Sequence, residues 1–242
     1  MPPLHRGALV GVPPPVPTAD APTILARRLV PRFPLALLLA GALAGTSRAT
    51  AQPAVTRDTA VFAGGCFWCM EEAFEAVPGV VDVRSGYIGG TVPDPTYAQV
   101  SAGRTGHYEA IEVVFDPARV SYARLVDRFW RNVDPEDATG QFCDKGDQYR
   151  AAIFPRDERQ RQVATASKAA LDASKRFPRP VAVRIVPATR FYPAESYHQD
   201  YHSRNPVRYT FYKRSCGRAR RLEAVWGSTT ARALPPATPA RP

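Results

Sequence analysis

Ala60-Val61-Phe62-Ala63 is an unbroken apolar run. Closed by Gly64-Gly65, a run that short predicts a buried strand followed by a tight turn. The period then changes. Phe67, Ala73, Phe74 and Val77 recur at roughly helical spacing, which predicts a helix starting at or just after Cys66, with a turn at Pro78-Gly79. Val80 to Tyr87 reads as a strand, and Gly89-Gly90 and Pro93-Asp94-Pro95 open a loop that reaches Gly106. Tyr108 to Phe115 alternates: Tyr108 and Glu112 share one face, and Glu109, Ile111, Val113 and Phe115 share the other. Asp116-Pro117 stops this strand, and Ser121 caps a helix carrying Leu125, Val126, Phe129 and Trp130. A polar loop from Asp134 to Gln148 leads into a strand from Tyr149 to Phe154. Strand, helix, strand, strand, helix, strand predicts an α+β domain, a two-layer sandwich with a split β-α-β, ferredoxin-like core. Further on, the pattern gives a solvated helix (Arg156 to Lys175), a strand (Val181 to Val186), a short helix (Glu195 to His202) and a last helix (Arg218 to Trp226).

Two features interrupt this pattern chemically. Glu109 is a carboxylate on an otherwise apolar strand face. Without a cationic partner it would hold its proton towards neutrality and could act as an acid. A strand-end glutamate reaching water is the competing reading, and the strand alone does not separate them. Cys66 stands at a helix start, where unpaired N–H groups and the helix dipole favour a thiolate. Cys69 lies three residues on, on the same face, placed to trap an oxidised Cys66 as a disulfide. A zinc site would need a second pair, and Cys143 and Cys216 are far apart in sequence. A purely structural C-x-x-C closes almost no loop and stabilises little. A thioredoxin-like oxidoreductase would not crowd the motif with Phe67 and Trp68, which suit the wall of an apolar pocket. Glu195, His198 and His202 are spaced E-x-x-H-x-x-x-H and form a weak metal-ligand array with no further supporting pattern.

With 242 residues the chain suffices for one well-buried domain. Its first fifty residues do not look like part of it. The apolar run Pro34 to Gly45 follows Arg27, Arg28 and Arg32 and ends in Ala49-Thr50-Ala51, which predicts a secretory signal cut near Gln52. An uncleaved membrane anchor is the alternative. The expected organisation is a leader at 1–51, a catalytic domain at 52–227 and a disordered tail at 228–242. Of the formal charge of +10, the leader contributes +4, from five arginines against Asp20. The rest is a solvated basic face, densest in the Gly-flanked segment Lys213 to Arg221, which the sequence suggests is mobile. No nucleic-acid motif accompanies the charge.

Taken in order, Gly65-Cys66-Phe67-Trp68, Ser85-Gly86-Tyr87-Ile88-Gly89-Gly90, Pro95-Thr96-Tyr97, Gly106-His107-Tyr108-Glu109-Ala110, Gly140 to Arg150 (GQFCDKGDQYR), Phe191 to Glu195 and Tyr197-His198-Gln199 form a collinear set. The set resembles the A-type peptide methionine sulfoxide reductases, from about Thr59 to Gly227. That resemblance implies thiol-dependent reduction of methionine-S-sulfoxide, free or in proteins, with no cofactor and no metal. It implies Cys66 as nucleophile, Phe67 and Trp68 as the wall for the S-methyl group, Glu109 as acid, Tyr97 and Tyr149 as oxygen-binding phenols, and Asp144 as a site carboxylate. Cys69 would resolve the Cys66 sulfenic acid, Cys216 would relay the disulfide outward, and Cys143 would be a bystander. The implied donor for an exported monomer is a thioredoxin-like protein outside the cytoplasm. A secreted disulfide-exchange module would need neither the acid nor the phenols.

Overall fold

The computed structural model describes residues 56–228. The expected leader, the cut near Gln52 and the tail beyond Ser228 lie outside the described residues. β1 (Asp58–Gly64), α1 (Phe67–Glu75), β2 (Val80–Ile88), β3 (Tyr108–Phe115) and α3 (Tyr122–Trp130) fall where the hydrophobic pattern puts them. So does α4 (Glu158–Ala173), whose N-cap Asp157 accepts from the Gln160 amide. The Ser121 hydroxyl likewise accepts from the Arg124 amide and starts α3.

The remaining elements are short: α2 (Tyr97–Ser101), β4 (Gly140–Gln141), β5 (Asp144–Lys145), β6 (Ala151–Phe154), β7 (Arg184–Ile185), β8 (Tyr192–Pro193), α5 (Tyr201–Arg204), α6 (Pro206–Ser215) and α7 (Arg218–Trp226). Six strands form one sheet in the order β7-β6-β1-β3-β2-β8, with β4 and β5 as a separate hairpin. β1 pairs antiparallel with β3 and with β6, and β2 antiparallel with β3 and with β8. β7 runs parallel to β6, so the sheet is mixed.

The alternation of β3 sorts its side chains as the sequence implied. Ile111, Val113 and Phe115 join the larger cluster under the helices, and Tyr108 and Ala110 join a smaller one on the opposite face. Phe62, fully buried, centres the larger cluster, with ring centroids 5.1 Å from Phe74 and 5.4 Å from Phe129. This packing fixes α1 and α3 against the sheet, and with α1 the position of Cys66.

Several expectations are corrected. The stretch from Gly89 to Gly106 is not all loop: Thr96 closes a capping box with Gln99 and starts α2. Tyr149 does not lie in the strand but ends a 3-10 turn, Asp147–Tyr149, just before β6. The strand expected from Val181 to Val186 contracts to β7, and Glu195 to His202 is mostly turn, with Asp200 at φ 53° before α5. α6 was not anticipated, and Lys213 to Arg221 spans the ends of α6 and α7 rather than a mobile strap.

Candidate active site

The β1–α1 turn builds the centre of the site. Gly65 sits at φ +81°, and a Cβ there would come within 2.6 Å of Gln141 Cβ, so the close turn requires glycine. Cys66 is the N-cap of α1, and its carbonyl accepts from the amides of Cys69 and Met70. The first free helical amide does not serve the thiol. Phe67 N–H donates to Glu109 Oε2 at 3.2 Å, across 42 residues of sequence.

Glu109 is 3% exposed. Burial, with Asp144 nearby, pushes its carboxyl up to about 8 against the opposing pull of the Phe67 amide. Of the two readings the strand left open, the raised carboxyl is therefore the one present. The expected depression of Cys66 is not. Burial, then Cys69 and Glu109, push the Cys66 thiol up, and the Tyr212 phenol opposes them only in part. Cys69 carries the thiolate character instead: its hydrogen bond with Cys66 holds it down, helped by Arg218, Tyr209 and Lys213. Helix position alone misled the sequence argument, because the α1 N-terminus is sealed from water and its first amide is taken by Glu109.

A cavity of about 70 Å³ is lined by Cys66, Phe67, Trp68, Tyr97, Glu109, Asp144, Tyr149 and Tyr212. Seven of the nine residues singled out from the sequence thus converge on one small space. Burial raises Tyr97 to about 12 and raises Tyr149 as well, so both phenols stay protonated and can donate. Asp144 is also raised by burial, and it accepts from Tyr212 Oη at 2.5 Å.

Tyr212 was missed, because no sequence signal joins α6 to a loop 68 residues earlier. Its neighbours on α6 hold it inward: Tyr209 Oη donates to Glu72 at 2.7 Å, and Lys213 forms an ion pair with Glu72.

The wall of the pocket is braced from behind. Trp68 stacks on Tyr201 at 3.8 Å with 8° between the planes, and its Nε1–H donates to His198 Nδ1 at 3.1 Å. Burial lowers His198 to about 4, so the imidazole is neutral and free to accept. This arrangement does not favour the metal array read from Glu195, His198 and His202. His198 serves Trp68, Glu195 accepts from Tyr87 Oη and the Tyr97 amide, and His202 faces Glu75. Three residues on an expected helix face have separate partners, because only His202 lies in a helix, the short α5, and Glu195 and His198 precede it.

Cys66 and Cys69 are free and buried. Cys143 and Cys216 are joined by a disulfide with Cα atoms 5.0 Å apart. This corrects two expectations: Cys143 is no bystander, and Cys216 is not a free relay thiol in this state. The bond ties the loop bearing Asp144 to the end of α6, four residues beyond Tyr212. A buried thiol, a protonated acid and three phenols around an aromatic wall can attack a polarised atom and protonate the oxygen it releases.

The sequence model of the peptide methionine sulfoxide reductase family matches residues 58–230. Similar curated proteins include the peptide methionine sulfoxide reductase MsrA of Ligilactobacillus salivarius, 55% identical over 155 residues, 64% of this chain and 90% of that protein. The MsrA of Listeria innocua is 52% identical over 169 residues, covering 70% and 96%. Among solved structures, methionine sulfoxide reductase A of Corynebacterium diphtheriae aligns with a TM-score of 0.56 at 34% identity, covering 64% of this chain and 77% of that one. Mxr1 from Saccharomyces cerevisiae in reduced form aligns with a TM-score of 0.59 at 30% identity, covering 64% and 88%.

Proposed function

The chain belongs to the peptide methionine sulfoxide reductase family, an oxidoreductase that reduces methionine sulfoxide and so repairs oxidised protein, and from that premise we propose how its own residues carry the reaction. The observation that carries the reading is the convergence of Cys66 and Glu109 in one pocket with Tyr97, Tyr149 and Asp144. The substrate's S-methyl group packs on Phe67 and Trp68, and its oxygen accepts from Tyr97 and Tyr149. Glu109 gives its proton to that oxygen, which is a poor leaving group until protonated. The Cys66 sulfur attacks the sulfoxide sulfur while its own proton passes to the adjacent Cys69. The protonated oxygen leaves the substrate sulfur as hydroxide, which then bonds to Cys66 Sγ as the new S–S bond breaks, so that methionine departs with that electron pair and a sulfenic acid is left on Cys66. Cys69 then displaces water to form the Cys66–Cys69 disulfide, and a thiol donor restores both thiols.

The finer fold description belongs with this reading. The run β6-β1-β3-β2 within the sheet, with α1 and α3 packed under it, supports a split β-α-β core extended by β7 and β8.

The epimer is tested by assaying S and R methionine sulfoxide separately with dithiothreitol. Reduction confined to the S form is expected, and equal reduction of both would refute the assignment. Cys69→Ser should still yield about one methionine per enzyme without reductant, because the attacking sulfur is that of Cys66, but more slowly, because Cys69 no longer takes the proton. Its steady-state rate should fall. Mass-spectrometric mapping after a quenched turnover should find Cys66–Cys69 as the first new disulfide in the unaltered chain. A first bond from Cys66 to Cys216 would make Cys69 a bystander.

Export is supported by the apolar run behind Arg27, Arg28 and Arg32 and by Ala49-Thr50-Ala51. An exported enzyme draws electrons from a donor beyond the cytoplasm, for which a thioredoxin-like protein is the proposal. N-terminal sequencing of the protein from its host should begin near Gln52. An intact leader in the cytosolic fraction is the contrary result.

A further inference from the structure

Cys143 and Cys216 flank two groups of the pocket. Asp144 follows Cys143 directly, and Cys216 caps α6 one turn beyond Tyr212, its amide donating to the Tyr212 carbonyl at 2.9 Å. Tyr212 Oη donates to Asp144 Oδ2, so that hydrogen bond and the disulfide join α6 to the β4–β5 hairpin side by side. On its other side α6 is fixed to α1, where Tyr209 and Lys213 both hold Glu72.

The hairpin needs a hold at its tip. Its base is anchored by Gln141, whose side chain exchanges hydrogen bonds with the backbone of Asp134. Its turn is Phe142-Cys143, and Phe142 lies at φ 57°, a left-handed conformation that strains a bulky residue unless the surroundings hold it. From the C-terminal helices, Arg218 lies over the Phe142 ring and Cys216 binds Cys143. The disulfide is thus the covalent tie between the helix that carries Tyr212 and the strained turn that places Asp144.

We propose that Cys143 and Cys216 are positioning residues of the reaction: their disulfide holds Asp144 and Tyr212 against the pocket, and its reduction slackens the hairpin and slows attack by Cys66. The proposal rests on Cys66 and Glu109 acting as nucleophile and acid. Asp144 bears on that acid. Its charge and that of Cys69 add to burial in raising the Glu109 carboxyl, against the Phe67 amide. The other groups facing Glu109 are the protonated phenols of Tyr87, Tyr97 and Tyr149 and the Cys66 thiol. A hairpin that moves off takes the Asp144 charge away and admits water, and both changes lower Glu109. The S-methyl wall keeps its own brace, because Trp68 rests on Tyr201 and His198 and meets Tyr212 only edge-on at 5.9 Å.

Opening the bond takes two electrons, which a dithiol donor supplies. One of its thiolates bonds to Cys143, the exposed partner, and Cys216 leaves with the electron pair of the broken S–S bond and takes a proton. The donor's second thiolate closes the donor's own disulfide and releases Cys143, which takes the other proton. A donor that restores Cys66 and Cys69 but spares this bond keeps the enzyme at full rate.

The test follows the burst of methionine from S-methionine sulfoxide without thiol, on the full chain. Cys143→Ser/Cys216→Ser should lower the burst rate by about tenfold, the order expected for groups misplaced by less than an ångström. The substrate concentration at half-maximal rate should change by less than about twofold. The loss of rate with rising pH, set by Glu109, should move to lower pH, which a mere loss of stability would not cause. Tyr212→Phe should move it the same way with the disulfide intact, and adding the serine pair should then cost little more, since both changes loosen Asp144. The unaltered chain, reduced until all four thiols titrate instead of two and then freed of reductant, should match the serine variant and replaces it if that variant does not fold. A burst rate and pH profile indifferent to the disulfide, or fully additive effects, overturn the proposal. So does a quenched turnover in which Cys143 or Cys216 has exchanged onto Cys66 or Cys69, because the pair would then be a relay. The burst of the unaltered, disulfide-bonded chain reports the reading beneath. If it is absent, that reading fails and the proposal falls with it.

Discussion

Cys66→Ser is expected to abolish reduction of methionine-S-sulfoxide, with a loss on the order of 1,000-fold or more in both the burst and the steady state. A serine hydroxyl is neither ionised near neutrality nor soft enough to attack sulfur. The change is close to isosteric, and Cys66 packs with Cys69 and Tyr209 at the start of α1, so the fold should persist. Near-UV circular dichroism checks the fold while methionine release is measured. Substantial activity in a folded variant would move the nucleophile to Cys69, the only other free cysteine among the described residues. Because the structure gives Cys69 the thiolate character, this experiment separates a cysteine that attacks from one that accepts a proton and later resolves.

Glu109→Gln should cost about 100-fold in rate near pH 7. The amide keeps the shape and can still accept from the Phe67 amide, but it has no proton to give. The pH dependence follows in sign. With its carboxyl raised to about 8, Glu109 is mostly protonated at neutral pH, and the unaltered enzyme should lose rate as pH rises through that value. The variant should lack this limb. A superimposable pH–rate profile would remove Glu109 as the acid.

Stability gives a second, independent readout. A group whose carboxyl is raised on folding binds a proton in the native state that the unfolded chain releases first. Its contribution is fully present below the unfolded value of about 4.5 and is lost as pH rises through about 8. Glu109→Gln has no such group, so relative to the parent chain it should resist urea better at pH 9 than at pH 5. This difference survives whatever happens to activity.

What the sequence determined by itself is local and periodic. The apolar run at β1, the alternation of β3 and the helical spacing in α1 and α3 depend on near neighbours, and each element formed within a residue or two of its expected place. The same periodicity placed Glu109 on an otherwise apolar face and left open whether it reached water, which the structure resolves in favour of the raised carboxyl. The resemblance carried by the motifs then implied Tyr97, Tyr149 and Asp144 as members of one site, though nothing in their spacing shows how a capped five-residue helix and a 3-10 turn deliver them.

Tertiary structure decided the rest. Short elements such as α2, β7 and β8 have too few residues for a period to be read, and they exist because a capping box or a sheet edge completes them. Burial of Cys66, then Cys69 and Glu109, reverse the expectation from helix position, while Arg218, Tyr209 and Lys213 from the C-terminal helices add to the hydrogen bond from Cys66 in holding Cys69 down. Tyr212 enters the pocket, and Cys143 meets Cys216, only because α6 folds back across the Asp144 loop. Charge and proton affinity in a buried site are set by every group within a few ångströms, and for Cys66 and Cys69 most of those groups lie more than a hundred residues away along the chain.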